Sequence, residues 1–243
     1  MEKLEQVLYF VSVVAVASIL LAYLSEVRPE MTFEKRMVAY HSSAVLKLLG
    51  INAEVYEIVV RLPLTEQKSA EVLSQYLKEE NTSSGIELKA KKLTPWEEEI
   101  VFKYIDSLQR QGRNVYLSTA TIIGVNDHVL EVDIIPECVG LMGIITVSAL
   151  IIGYPGVNLK KRAIGLLISW PLMYIINVLR IVTTFAAGYY GGAEALYLTH
   201  DLLWKTVLVA WSLALWGFWL WFIVEEKTTK ELIKAFKKYL KHE

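Results

Sequence analysis

The chain has 243 residues, 54% of them hydrophobic, with a formal net charge of −1. That apolar share exceeds what a soluble domain usually carries, the seven tryptophans fit a membrane-interface belt, and the balanced charge gives no bulk attraction for nucleic acid. A single cysteine excludes an intramolecular disulfide and a cysteine-based metal site, and the four histidines lack ligand spacing, so neither a metal nor a cofactor is expected.

Residues 6–24 form an uncharged apolar run of 19, enough for one membrane-spanning helix. A signal peptide is the competing reading; the long apolar core without a clear cleavage triplet favours a retained anchor. In 31–49, Phe33, Met37, Tyr40, Ala44 and Leu48 recur at helical spacing. That pattern predicts an amphipathic helix in the membrane interface or an ordinary packed helix, and the sequence does not separate the two.

Residues 51–135 are charged, periodic and soluble in character. Residues 51–62 alternate like a strand, 65–80 have helical propensity, and 86–93 read as a short strand. Thr94-Pro95-Trp96-Glu97 is a capping box with proline at the first helical position, and Gly112 stops that helix. Residues 115–125 and 128–135 then read as a hairpin around Asn126-Asp127. The expected order is β-α-β-α-β-β, an α+β module of about 80 residues able to hold a core. Asn81-Thr82-Ser83 is a glycosylation sequon of low specificity.

Three further apolar runs follow: 139–152, 163–188 with Pro171 inside it, and 198–224, rich in tryptophan. Pro171 removes one helix hydrogen bond and predicts a bend. Residues 225–243 are a basic tail with helical periodicity, suited to an anionic leaflet. The predicted fold class is thus an α-helical multi-pass membrane protein of about four spans plus an interfacial helix, with an inserted extracytoplasmic α+β module. Its parts are 1–50, the module 51–135, a three-span core 136–224 and the tail 225–243.

Lys160-Lys161-Arg162 marks its loop as cytoplasmic, and the tail agrees. Four spans then put both termini inside and the module outside. Arg180 lies 18 residues past Arg162, about 27 Å along a helix, against a hydrocarbon core about 30 Å thick. Cys138 precedes Lys160 by 22 residues, about 33 Å, and His200 precedes Trp221 by 21, about 31 Å. Independent counts therefore carry all three to the outer interface.

A lone cysteine beside a membrane helix is often a packed hydrophobe, an arginine near a span end a snorkelling anchor, and a histidine there an interfacial residue. Cys138, however, stands at the entry of a span beside Glu137, on the oxidising side. Met173, Asn177, Arg180 and Thr184 share one helix face, a polar stripe expected to face protein rather than lipid. His200 shares a face with Trp204, while Asp201 and Lys205 have the spacing of a surface ion pair. Together Cys138, His200 and Arg180 supply a nucleophile, a proton carrier and a cation for a thiolate or an oxyanion, which suits acyl transfer through a thioester. Glu137 and Asp133 oppose thiolate formation if close, which makes the cation more necessary.

An outer-face cysteine after an extended segment, Asn177-x-x-Arg180 late in the next outward helix, and His200 at the start of the last span resemble the exosortase/archaeosortase family over about 136–224. In this chain the cysteine is followed by Val139-Gly140, where the family commonly has a small polar residue and glycine. The resemblance implies a multi-pass membrane cysteine transpeptidase. Such an enzyme cleaves exported proteins at a C-terminal signal of motif, spanning helix and basic cluster, and can pass them to a lipid anchor. Carried over, Cys138 is the nucleophile, Arg180 the charge stabiliser and His200 the proton carrier, with Asn177, Glu137 and Asp201 supporting. The expected partners are those exported proteins and membrane lipid. The alternative is a non-catalytic assembly or receptor protein whose outer module binds a partner.

Overall fold

In the computed structural model the described residues are 2–27, 32–82, 85–125 and 129–221. The predicted turn at Asn126-Asp127, Ser83 of the sequon and the basic tail 225–243 lie outside them. Helices α1 (Glu2–Val27) and α2 (Thr32–Leu48) come first. The chain then runs β1 (Ala53–Tyr56), β2 (Ile58–Leu62), α3 (Gln67–Leu73), β3 (Lys78–Thr82) and β4 (Gly85–Ala90). Next are α4 (Pro95–Arg110), β5 (Tyr116–Ser118), β6 (Thr121–Val125) and β7 (Val129–Asp133). A 3-10 turn, Pro136–Val139, leads into α5 (Leu141–Gly153). Last come α6 (Leu159–Tyr197) and α7 (Trp204–Trp219), joined by a π-helical stretch, Leu198–Leu203. Two compact units result: Met1–Arg28 with Gly140–Arg180 and Leu198–Glu243, and Pro29–Val139 with Ile181–Tyr197.

The second unit holds two antiparallel sheets, ordered β1-β6-β7 and β3-β4-β2-β5. Period-2 alternation sorts the larger sheet. Ile58, Val60, Leu62, Ile86 and Leu88 enter a core closed by Leu73, Val101 and Ile105 of α3 and α4, while Arg61, Glu87 and Lys89 occupy the alternate positions. Helix α4 starts as predicted: the Thr94 hydroxyl accepts from the Glu97 backbone N–H at 3.3 Å, and the Glu97 carboxylate accepts from the Thr94 backbone N–H at 2.8 Å. Gly112, at φ +75°, follows its end. On the smaller sheet, Gly124 leaves room for Phe185, whose ring atoms would stand 3.0 Å from an added Cβ.

Three predicted elements differ from the structure. The strand expected over 51–62 is two strands in different sheets, broken at Glu57, and the strand over 115–125 likewise splits after Ser118. Arg36 of α2 serves both breaks, 3.4 Å from the Glu57 carboxylate and donating to the Thr119 carbonyl at 3.4 Å, while pairing with Glu98 at 2.9 Å. The helix expected over 65–80 ends at Leu73, and Lys78–Thr82 becomes an edge strand on β4. Strand pairing there outweighs the helical propensity of Lys-Glu-Glu. In α2 the predicted stripe is the outward face: Phe33, Met37, Tyr40, Ala44 and Leu48 are exposed, while Val38, Ala39, Ser42, Ser43 and Leu46 are buried.

The first unit is helical, with Val147, Ile151, Met173, Leu215 and Trp219 at its centre. Glycines sit where helices approach: a Cβ on Gly153 would meet Phe10 at 3.2 Å, and one on Gly165 would strike the Trp219 indole at 2.4 Å. The Trp219 indole N–H donates to the Lys161 carbonyl at 3.0 Å. Among the described residues, Leu159–Trp219 is the one helical stretch long and apolar enough to cross a membrane; Leu4–Ala17 and Leu141–Gly153 are shorter apolar helices. Helix α6 continues through Pro171, and its non-helical residue is Gly192, at φ 72° and ψ −168°. Only glycine tolerates that backbone readily.

Candidate functional site

Cys138 lies in the 3-10 turn that Pro136 opens, and its backbone N–H donates to the Ile135 carbonyl at 2.9 Å. The residue is 5% exposed. Gly140, left-handed at φ +82°, ends the turn, and its carbonyl accepts from Ile144 as α5 begins. A Cβ on Gly140 would stand 2.6 Å from Cγ and 2.9 Å from Cβ of Asn177. Only a hydrogen fits between these two residues, so the start of α5 rests directly on the Asn177 face of α6.

That face is the polar stripe read from the sequence. Met173, Asn177, Arg180 and Thr184 are 1%, 1%, 7% and 4% exposed, so the stripe is turned into protein as expected. A guanidinium this enclosed within an apolar helix is expensive in lipid, which favours a role for it over a snorkelling anchor.

His200 sits in the π-helical stretch, a distortion often found at functional positions. Its Nδ1 is 3.6 Å from Asp201 Oδ1, too far for a hydrogen bond, and Asp201 accepts from Lys205 Nζ at 2.6 Å, the predicted ion pair. The imidazole is about one-third exposed, and Trp204 one turn on is buried. Cys138 and Glu137 belong to the unit that carries the sheets; Asn177, Arg180, His200 and Asp201 belong to the helical unit.

A second constellation escapes the sequence. Arg61 donates from Nε to Glu87 at 2.8 Å, from Nη1 to Asp133 at 2.8 Å and from Nη2 to Glu131 at 3.1 Å. Lys89 Nζ pairs with Glu87 at 3.0 Å and with Glu131. Asp133 also accepts from the Thr121 hydroxyl at 2.6 Å and the Tyr116 phenol at 3.1 Å. The cluster ties β7 to β2 and β4. Burial alone would raise the Asp133 carboxyl, but hydrogen bonds from Thr121 and Arg61 hold it below its ordinary range. Burial likewise opposes the charge on Arg61 and Lys89, and their carboxylate partners raise both above their usual values. Charge at alternate positions in 87–89 and 131–133, with the single Arg61 inside an apolar strand, was the available signal, but it does not say which strands meet. Asp133, which would oppose a nearby thiolate, thus has its charge engaged by Arg61.

Residues 106–218 match the family model for the transmembrane exosortase, and Cys138, Asn177, Arg180 and His200 all fall inside the match. Together with the apolar stretch Leu159–Trp219, this makes the chain a membrane protein. No curated protein and no solved structure matches it.

Proposed function

We propose that this chain, whose residues 106–218 belong to the transmembrane exosortase family, is an integral-membrane cysteine peptidase or transpeptidase acting on the C-terminal sorting signals of exported proteins. The single observation that carries this reading is the family match, which spans the one thiol and the enclosed arginine of the chain. The burial of the Met173–Thr184 stripe and the close packing of Gly140 on Asn177 lend support, because a polar, arginine-bearing helix face enclosed in protein suits a functional role better than a lipid anchor.

In the proposed reaction His200 takes the proton from Cys138 Sγ, and the thiolate attacks the scissile carbonyl carbon. Arg180 stabilises the oxyanion of the tetrahedral intermediate. The C–N bond breaks as the leaving amine takes the proton from His200, which leaves a thioester on Cys138. An acceptor amine or hydroxyl, or water, then gives its proton to the imidazole, attacks the thioester and releases the thiol. The chemistry sits on the extracytoplasmic face, with Lys160-Lys161-Arg162, which the structure has in the first turn of α6 and not in the expected loop, at its cytoplasmic end and the module outside.

The test is labelling of intact cells with a membrane-impermeant thiol reagent across pH, for wild type, Arg180→Ala and His200→Ala. We expect labelling from outside that persists well below the ordinary thiol pKa and shifts upward in both variants. Labelling only after lysis would overturn the sidedness. An ordinary thiol profile, indifferent to both substitutions, would favour the reading that the 5% exposure of Cys138 also admits, a packed cysteine in a non-catalytic binding protein.

A further inference from the structure

A cleft of about 630 Å³ in the sheet-bearing unit is lined by Arg61, Leu62, Pro63, Ile86, Glu87, Asn114 and Glu131, among others. Its size falls within the roughly 300–1,000 Å³ of ligand clefts, well beyond a single ion. Its charges, Arg61, Glu87 and Glu131, are built into the fold: Glu87 is 6% exposed, and Lys89, which pairs with both carboxylates from behind the lining, is equally buried. Both cations are committed: the three guanidinium nitrogens of Arg61 each meet a carboxylate, and Lys89 meets two. The cluster of Arg61 and Lys89 against Glu87, Glu131 and Asp133 sums to +2 − 3 = −1. An anion arriving here meets a net negative charge and, in this cluster, no uncommitted cation. A cation meets carboxylate oxygens that retain lone pairs. Pro63 and the exposed Val129 supply the apolar part of the wall, suited to the methylene stem of a long basic side chain, while the Leu62 and Ile86 side chains are turned into the core.

We infer that this cleft binds a lysine or arginine side chain carried on an extended peptide segment, and that it selects which exported proteins are processed. The selection role rests on the proposed peptidase function; the binding does not. A free polyamine offers the same alkylammonium chemistry without the peptide.

The experiment uses the full chain with Cys138→Ala, so that no thioester can form, in detergent micelles. Fluorescent acetylated and amidated pentapeptides with a central Lys, Glu or Ala are titrated, with spermidine as the free amine. The Lys peptide is expected to bind, the Glu and Ala peptides to bind at least about tenfold more weakly, and spermidine to compete poorly. Asn114→Trp fills the mouth from an exposed position outside the ion cluster and should weaken the Lys peptide without shifting the melting temperature. Glu131→Gln should weaken it too. Equal binding of the Glu peptide, or Asn114→Trp binding like its parent, would overturn the inference. Spermidine binding more tightly than the Lys peptide would assign the cleft to free amines and overturn the selection role. Lys-peptide binding in a chain whose wild type processes nothing would sink the peptidase reading and leave the cleft standing.

Discussion

Gly140 and Asn177 approach so closely that a Cβ on the glycine would lie 2.6 Å from the asparagine Cγ. The glycine is needed twice over, because its φ of +82° is also left-handed. A β-carbon in that region costs about 1–2 kcal/mol before any clash. Gly140→Ala should therefore lower the melting temperature of the purified protein in micelles by several degrees. Adding Asn177→Ala should recover only part of the loss, because the Asn177 Cβ, 2.9 Å from where the new methyl group would sit, stays in place. A single variant as stable as wild type would refute the close approach.

Arg61 holds three carboxylates from two sheets, so its removal leaves Glu87 and Glu131 with Lys89 as their cation and Asp133 with hydroxyl partners such as Thr121 and Tyr116. Removing one partner of a buried ionic cluster costs about 3–5 kcal/mol; with a third of the Arg61 side chain exposed, about 3 kcal/mol is expected for Arg61→Met. Denaturant unfolding followed by tyrosine fluorescence would check it. A change under about 1 kcal/mol would mean that the cluster is decorative.

The same cluster sets an acid limit. Asp133 is held below its ordinary 3.8, so its contribution is present in full above that value and drains away as pH falls through the lower folded value. Glu131, which burial would raise but Lys89 and Arg61 hold down, acts in the same direction below about 4.5. Stability of the wild type should decline below about pH 4, and Asp133→Asn should flatten that decline while lowering the plateau at neutral pH. An unchanged acid limb in Asp133→Asn would show that other carboxylates set it.

Local chemistry was the legible part of the sequence. The Thr94 capping box, the Gly112 stop and the Asp201–Lys205 spacing each depend on residues within one or two helical turns, and each is present as read. Hydropathy also sufficed to turn the Met173–Thr184 stripe into protein. What failed depends on distant partners. A run such as 51–62 alternates equally well as one strand or two, and the break at Glu57 is set by Tyr40 and Arg36, far along the chain. The Lys-Glu-Glu of β3 favours a helix until β4 supplies its hydrogen bonds. At the candidate site, the glycine after Cys138-Val139 was visible as a residue, but its fit against Asn177 was not.

Thr94 offers a control outside the clusters. Its hydroxyl satisfies one otherwise orphaned N–H at the start of α4, and the Glu97 carboxylate returns the bond. Thr94→Ala should cost about 1 kcal/mol, and Thr94→Ser should cost less than half of that. Thermal unfolding of both variants decides it. Equal loss in the two would show that the methyl group, not the cap, was responsible.

Tyr40 lies on the outward stripe of α2, yet its hydroxyl donates to the Glu57 carboxylate at 2.8 Å, at the point where the chain leaves one sheet for the other. Burial around the phenol, then that carboxylate, push its pKa up to about 12, with Arg36 opposing. A group raised in the folded state contributes fully below its ordinary value of 10.0 and loses that contribution as pH rises towards 12. The folded chain should thus weaken between about pH 10 and 12. Tyr40→Phe removes the hydrogen bond, at a cost of about 1 kcal/mol near neutrality, and removes this alkaline step with it. Denaturant midpoints at pH 8, 10 and 11 for both proteins would measure it. If the step persists in Tyr40→Phe, lysines or other tyrosines carry the alkaline loss, and the Tyr40–Glu57 bond is not what holds α2 to the strand break.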